Sequence, residues 1–123
     1  MQKNPGKEAA DKVRQACEIL LKEKKILGFH FSRDNGELDC AGVDFLIYLQ
    51  GGLVYFGQIK SRKSGGYFKK VVEEHHRKHP LVRDVYGITQ RDQPWRIALR
   101  IRKKVNKMIR RTRELQWISE RNR

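Results

Sequence analysis

Residues 43–60 constrain the fold more than any other part of the chain. They form two short apolar runs, 43–49 and 53–60, joined through Gln50-Gly51-Gly52. Runs rich in β-branched and aromatic residues around a Gly-Gly pair read as a β-hairpin. Side chains alternate between the two faces of a strand, so Val43, Phe45, Ile47 and Leu49 share one side and Leu46 and Tyr48 the other. A hairpin apolar on both sides needs cover on both, and helices are the usual cover. The expectation is an α/β fold with a mixed β-sheet flanked by helices.

The remaining segments fit that expectation. Residues 7–25 place Val13, Ala16, Cys17, Leu20 and Leu21 at helical spacing. Residues 26–32 read as a strand, Asp34-Asn35-Gly36 as a turn, and the stretch to Gly42 as loop. Ser64-Gly65-Gly66 breaks the chain, and residues 67–78 predict a second helix that ends before Pro80. Residues 81–89 predict a strand in which Val82, Tyr86 and Ile88 alternate. Gln93-Pro94 opens a long helix over 94–120, with Ile97, Ile101, Val105, Met108, Thr112 and Leu115 as its apolar stripe. With 123 residues the chain makes one domain: a core over about 8–90 and a long basic C-terminal helix. It contains neither an internal repeat nor a low-complexity linker.

The net charge is +14, and its placement matters more than its size. Residues 1–59 hold eight Lys/Arg and eight Asp/Glu, so the whole excess lies in residues 60–123. A concentrated positive field suits a polyanion, either nucleic acid or an anionic membrane surface. Nucleic acid is favoured, because the last helix lacks bulky aromatics on its stripe until Trp117. The two cysteines, Cys17 and Cys40, form no CxxC pair and imply neither a disulfide framework nor a zinc knuckle. Reduced thiols, no apolar leader in residues 1–7, and no run of about 18 apolar residues together suggest a cytoplasmic protein without a membrane span.

The residues that suggest chemistry flank the hairpin. Asp44 stands at the start of the first strand, and Gln58-Ile59-Lys60 ends the second. Hydrolysis of a phosphodiester calls for a divalent cation that polarises the phosphoryl oxygen and lowers the pKa of the attacking water. Mg²⁺ (or Mn²⁺) takes oxygen ligands, which the Asp44 carboxylate, the Gln58 amide oxygen and the Ile59 carbonyl can supply. Lys60 can orient the water or offset developing charge. Gln58 and Lys60 are two apart and share a face. Asp44 joins them if the loop is the three-residue Gln50-Gly51-Gly52, with Leu49 paired to Leu53, or if a bulge shifts the strand. A two-residue Gly51-Gly52 turn would set Asp44 opposite Ile59, on the wrong face.

Gly42-Val43-Asp44 with Gln58-Ile59-Lys60, in this order of elements, resembles the PD-(D/E)XK nuclease superfamily. The resemblance covers roughly residues 8–90 in element order, with the motif itself confined to 42–61. The D…QxK variant is most similar to Mrr-like restriction endonucleases, and the small size and leading helix are similar to archaeal Holliday-junction resolvases. It implies a restriction-endonuclease-like sheet and a Mg²⁺-dependent endonuclease acting on duplex or branched DNA. A 5′-phosphate product and a homodimer are further implications. It also implies an acid from the first helix, for which Glu18 is the choice and Glu8 and Asp11 the alternatives. Val43 replaces the usual Pro, and Gln58 removes a carboxylate. A non-catalytic nucleic-acid-binding protein on the same fold, and an RNA-directed nuclease, stay open as rivals.

Several further residues are candidates for nucleic-acid contact. Ser61, Arg62 and Lys63 follow Lys60 directly, where a strand meets a loop beside the site, and Lys69 and Lys70 lie on the second helix. The last helix carries Arg100, Arg102, Lys103, Lys104, Lys107, Arg110, Arg111 and Arg113, read as a phosphate-tracking row rather than a merely solvated face. Tyr67 and Phe68 are assigned to the core in preference to base stacking. His75 and His79 are four apart, as in some zinc sites, but with no HExxH glutamate a helix-end cation or phosphate contact is the expected role of His75, His76 and His79.

Overall fold

In a computed structural model of the chain, residues 5–33, 36, 42–62, 68–78 and 84–122 are described. Cys40, Lys63, Tyr67, His79, Val82, the Asp34-Asn35 turn and the Ser64-Gly65-Gly66 break lie outside them, as do the side chains of Phe68 and Lys69. The elements in chain order are α1 (Pro5–Lys22), β1 (Gly28–Phe31), β2 (Phe45–Tyr48), β3 (Val54–Ser61), α2 (Phe68–Lys78), β4 (Asp84–Ile88) and α3 (Pro94–Arg121). The strands form one four-stranded mixed sheet in the order β1-β2-β3-β4. β1 and β3 both run antiparallel to β2, and β4 runs parallel to β3. A parallel neighbour requires a crossover, and the chain between β3 and β4 contains α2.

The hairpin has the odd loop. Phe45 faces Gly57 and Tyr48 faces Val54, and the Leu49 N–H donates to the Leu53 carbonyl at 2.9 Å. The Gln50–Gly52 loop is a single 3₁₀ turn, and Gly51 and Gly52 both sit at φ 75. Two successive left-handed residues are cheap only for glycine.

One face of the sheet carries the core. Phe45, Ile47, Leu49, Tyr55, Tyr86 and Ile88 are buried there with Ala9, Val13, Ala16, Cys17 and Leu20 of α1 and Ile97, Ala98, Ile101 and Val105 of α3. Leu21, expected on the α1 stripe, is exposed, and Ala9 takes a place in the core instead. α1 also ends at Lys22, short of the expected residue 25. Lys24 turns left-handed at φ 60, while its N–H donates to the Leu21 carbonyl and the Lys25 N–H to the Leu20 carbonyl, a Schellman-type stop.

The second face is covered less completely than the sequence suggests. Leu46 is buried, Val54 and Phe56 are half-buried, and Tyr48 is exposed. α3 runs antiparallel to β4, since Arg100 meets Gly87 while Lys104 meets Asp84, and it then continues past the hairpin end of the sheet. Leu115, the last member of the expected stripe, is exposed on this overhang.

Candidate active site

The site forms where β2 and β3 part. β2 begins at Phe45, opposite Gly57, whereas β3 continues to Ser61 with only β4 alongside. The paired register ends at Phe45 and Gly57, and alternation along β3 gives Gln58 and Lys60 one face. Asp44 is fixed from three sides. Its N–H donates to the Gly57 carbonyl at 2.9 Å, its carbonyl accepts the Ser32 N–H at 2.9 Å, and its Oδ2 accepts the Ile59 N–H at 2.7 Å. The carboxylate thus stands in for the strand partner that β3 has lost at this level. The N–H and C=O of one strand residue leave the same edge, so the Ile59 carbonyl points to the side on which Asp44 lies.

Gln58 is buried, 8% exposed, and its Oε1 has no hydrogen-bond partner among the described residues. A desolvated amide oxygen without a donor costs about 1–3 kcal/mol, so a native chain retains one only where something offsets the cost. Among the described residues no three His, Cys, Asp or Glu side chains converge. A cation here would be held by one carboxylate, one amide oxygen and one main-chain carbonyl. These are hard oxygen donors of the kind Mg²⁺ and Mn²⁺ accept, and the unpartnered Oε1 fits that role. Lys60 is half-buried, two residues on from Gln58.

The loop before Asp44 is held by a residue assigned to a different role from sequence. Gly42 is buried at φ 76, and His75 of α2 lies with Nε2 3.2 Å from its carbonyl. His75 is buried, so it is not a surface phosphate contact; it ties α2 to the segment carrying Asp44. The signal was present in the spacing: Val72, His75 and His76 are the inward side of an otherwise exposed stretch of α2.

Glu18, the acid expected from α1, is exposed and lies towards the far end of that helix from this place. The Lys12 ammonium bonds the Thr89 and Gln90 carbonyls just beyond β4, so α1 enters at the sheet end where β3 and β4 finish, and runs away from it. Glu18 stands more than a turn past Lys12. Glu8, one turn before Lys12 on the same side, is half-buried at the nearer end, and Asp11 is exposed.

The basic residues divide into distinct groups. Ser61, Arg62 and Lys70 are exposed, and the Arg62 N–H is anchored on the Ile88 carbonyl at 2.8 Å. On α3, Arg100 is half-buried, with its guanidinium donating to the Gly87 carbonyl at 3.4 Å and lying 5.6 Å from the Tyr86 ring centre. It packs on β4 rather than offering itself to phosphate. Lys104 lies 3.7 Å from Asp84, and Arg111 lies 3.7 Å from Glu114. Arg102, Lys103, Lys107 and Arg110 are exposed, and the last three follow one another on the side of α3 opposite Ile101 and Val105. Because α3 covers the core face, this row points away from the sheet on the side opposite to Gln58 and Lys60.

No helix among the described residues is long and apolar enough to cross a membrane. Comparisons with protein-family models, with curated proteins and with solved structures found no match.

Proposed function

We propose that the chain is a metal-dependent endonuclease that hydrolyses phosphodiester bonds in DNA, on a restriction-endonuclease-like sheet of the PD-(D/E)XK kind. One observation carries the reading: Gln58, buried with its Oε1 unpartnered among the described residues, directly precedes Ile59, whose N–H holds the Asp44 carboxylate.

Asp44, Gln58 and the Ile59 carbonyl would hold Mg²⁺ or Mn²⁺, which when bound supplies a Lewis acid for the phosphoryl oxygen and lowers the pKa of a water. Asp44 needs no reorganisation to serve, because the Ile59 N–H already orients its carboxylate. Lys60 offsets the charge that develops on the phosphoryl oxygens and orients the attacking water. Arg62 and Lys70, exposed beyond β3 and on α2, hold the scissile strand by its phosphates, and a 5′-phosphate is the expected product. Arg102, Lys103, Lys107 and Arg110 make a second phosphate-binding surface on the other side of the sheet.

A non-catalytic DNA-binding protein is the rival, and it draws on one feature: among the described residues no three His, Cys, Asp or Glu side chains gather to hold a metal. Incubation with supercoiled plasmid, a four-way DNA junction and single-stranded RNA, in Mg²⁺, Mn²⁺ or EDTA, separates these readings. The proposal expects metal-dependent cutting of DNA. Binding with no cutting in either metal overturns it in favour of the rival, and cutting confined to RNA reassigns the substrate.

A further inference from the structure

A second concave surface lies at the opposite end of the sheet from Asp44. There α3 continues past the hairpin, and a groove of about 430 Å³ opens between its Ile109–Gln116 flank, the Gln50–Leu53 turn and the loop that leads into β1. Its floor and near wall are apolar: Ile26, Leu27, Leu53 and Ile109. Leu27 is 60% exposed. Its rim is cationic, formed by Lys24, Lys25 and Arg113, and among the described residues no carboxylate lines it. Among the described residues none of these three cations has an ion-pair partner within 4.0 Å. Lys24 is held at the rim by its left-handed backbone, φ 60, in the turn that ends α1.

Each half of this arrangement selects for something different. Unpaired cations attract an anion. Nucleic-acid phosphates need no aliphatic floor, so a groove built for backbone contact alone would gain nothing from Leu27, Leu53 or Ile109. A second copy of this chain would bring a strong net positive charge of its own, +14, against the rim. A segment with carboxylates flanking leucine or phenylalanine satisfies both requirements: the apolar side chain enters the groove and the acids pair with the rim. We propose that this groove docks an acidic segment of a partner protein, anchored by an aliphatic or aromatic side chain.

The test is fluorescence anisotropy with the full chain and a labelled nonapeptide in which glutamate alternates with leucine and phenylalanine. Two further probes are a version with serine at every apolar position and a labelled single-stranded oligonucleotide of the same charge. The proposal expects saturable binding of the first peptide, at least ten-fold weaker binding of the serine version, and a loss of ten-fold or more in Leu27→Glu and in Lys25→Glu/Arg113→Glu. Arg91→Glu, a charge change at the other end of the sheet, should move the affinity by less than two-fold. All four positions are exposed, so these variants keep the core. Equal binding of the serine peptide, or equal losses in the groove variants and in Arg91→Glu, overturns the proposal in favour of indiscriminate polyanion attraction. Loss of oligonucleotide binding in Leu27→Glu overturns it in favour of nucleic acid. A wild-type dimer in sedimentation that Leu27→Glu dissociates overturns it in favour of a second copy of the chain.

Discussion

At Asp44 one side chain serves both the backbone and the candidate chemistry, and substitutions can separate the two. Asn keeps an oxygen for the Ile59 N–H and so keeps the fold, whereas Ala strands that donor at a cost of about 1–3 kcal/mol. Urea denaturation should therefore find Asp44→Asn close to wild type and Asp44→Ala clearly weaker, and equal stability of the two would mean the hydrogen bond does not matter. Gln58 gives a sharper contrast. Removing a desolvated, unpaired oxygen should help the apo fold, so Gln58→Leu should be more stable than wild type by about 1–2 kcal/mol in EDTA and should lose any stabilisation by Mg²⁺. A destabilised Gln58→Leu would show that Oε1 had a partner after all. Gln58→Glu adds charge to the donor set and should titrate Mn²⁺ more tightly. That Gln58 and Lys60 share a face was legible in the sequence, because strand alternation alone fixes it. The role of His75 was not, because nothing local to α2 announces that its partner is a carbonyl 33 residues earlier.

At the level of elements, the hairpin was readable from its two apolar runs around Gly51-Gly52, whereas its loop parity was not, because strands apolar on both faces fit either register. Gly57 reinforces the observed register: a Cβ there would run into the Phe45 ring. Gly57→Ala should cost about 1–3 kcal/mol by overpacking, measured as a lower urea midpoint, and no cost would mean Phe45 can move aside. Less visible in advance was the buried chain that joins β3 to β4, in which the Tyr55 hydroxyl bonds Asp84 at 2.5 Å and lies 2.6 Å from the Tyr86 hydroxyl. Two aromatic residues 31 apart in sequence read simply as core positions. Burial pushes both phenols well above their ordinary 10.0, and it pushes the Cys17 thiol from 9.0 up to about 12. The folded chain thus keeps protons that the unfolded chain releases. Stability from this source is intact below about pH 9 and falls as the pH rises beyond it, at about 1.4 kcal/mol per pH unit for each group titrating. Thermal unfolding between pH 8 and 11 should show that decline, and Tyr86→Phe should make it shallower by one group. A flat profile would mean the phenols ionise freely in the fold.

For the molecule as a whole, charge asymmetry along the sequence marks the second half as the one suited to a polyanion, but it could not show how that charge is distributed in space. Arg100 is spent on β4 and Lys104 on Asp84, while Lys103, Lys107 and Arg110 face away from the sheet on the side opposite to Gln58 and Lys60. The long basic helix is therefore a separate surface rather than a wall of the candidate active site, a consequence of α3 packing on the core face. Replacing Arg102, Lys103, Lys107 and Arg110 by alanine should weaken duplex binding alike for all sequences. It should also flatten the log–log salt dependence by about 0.9 for each phosphate no longer neutralised. Weaker binding with an unchanged slope would mean that the helix does not touch phosphates. The same variant should still cut DNA once bound, because none of these residues belongs to the Asp44 site. The central claim is that Asp44 and its neighbours hydrolyse DNA, and the most direct measurement is the rate of plasmid nicking in Mg²⁺ by wild type beside Asp44→Asn and Lys60→Ala. The account predicts cutting by wild type, none above background by either variant, and retained duplex binding by both; nicking that persists in Asp44→Asn at the wild-type rate would contradict it.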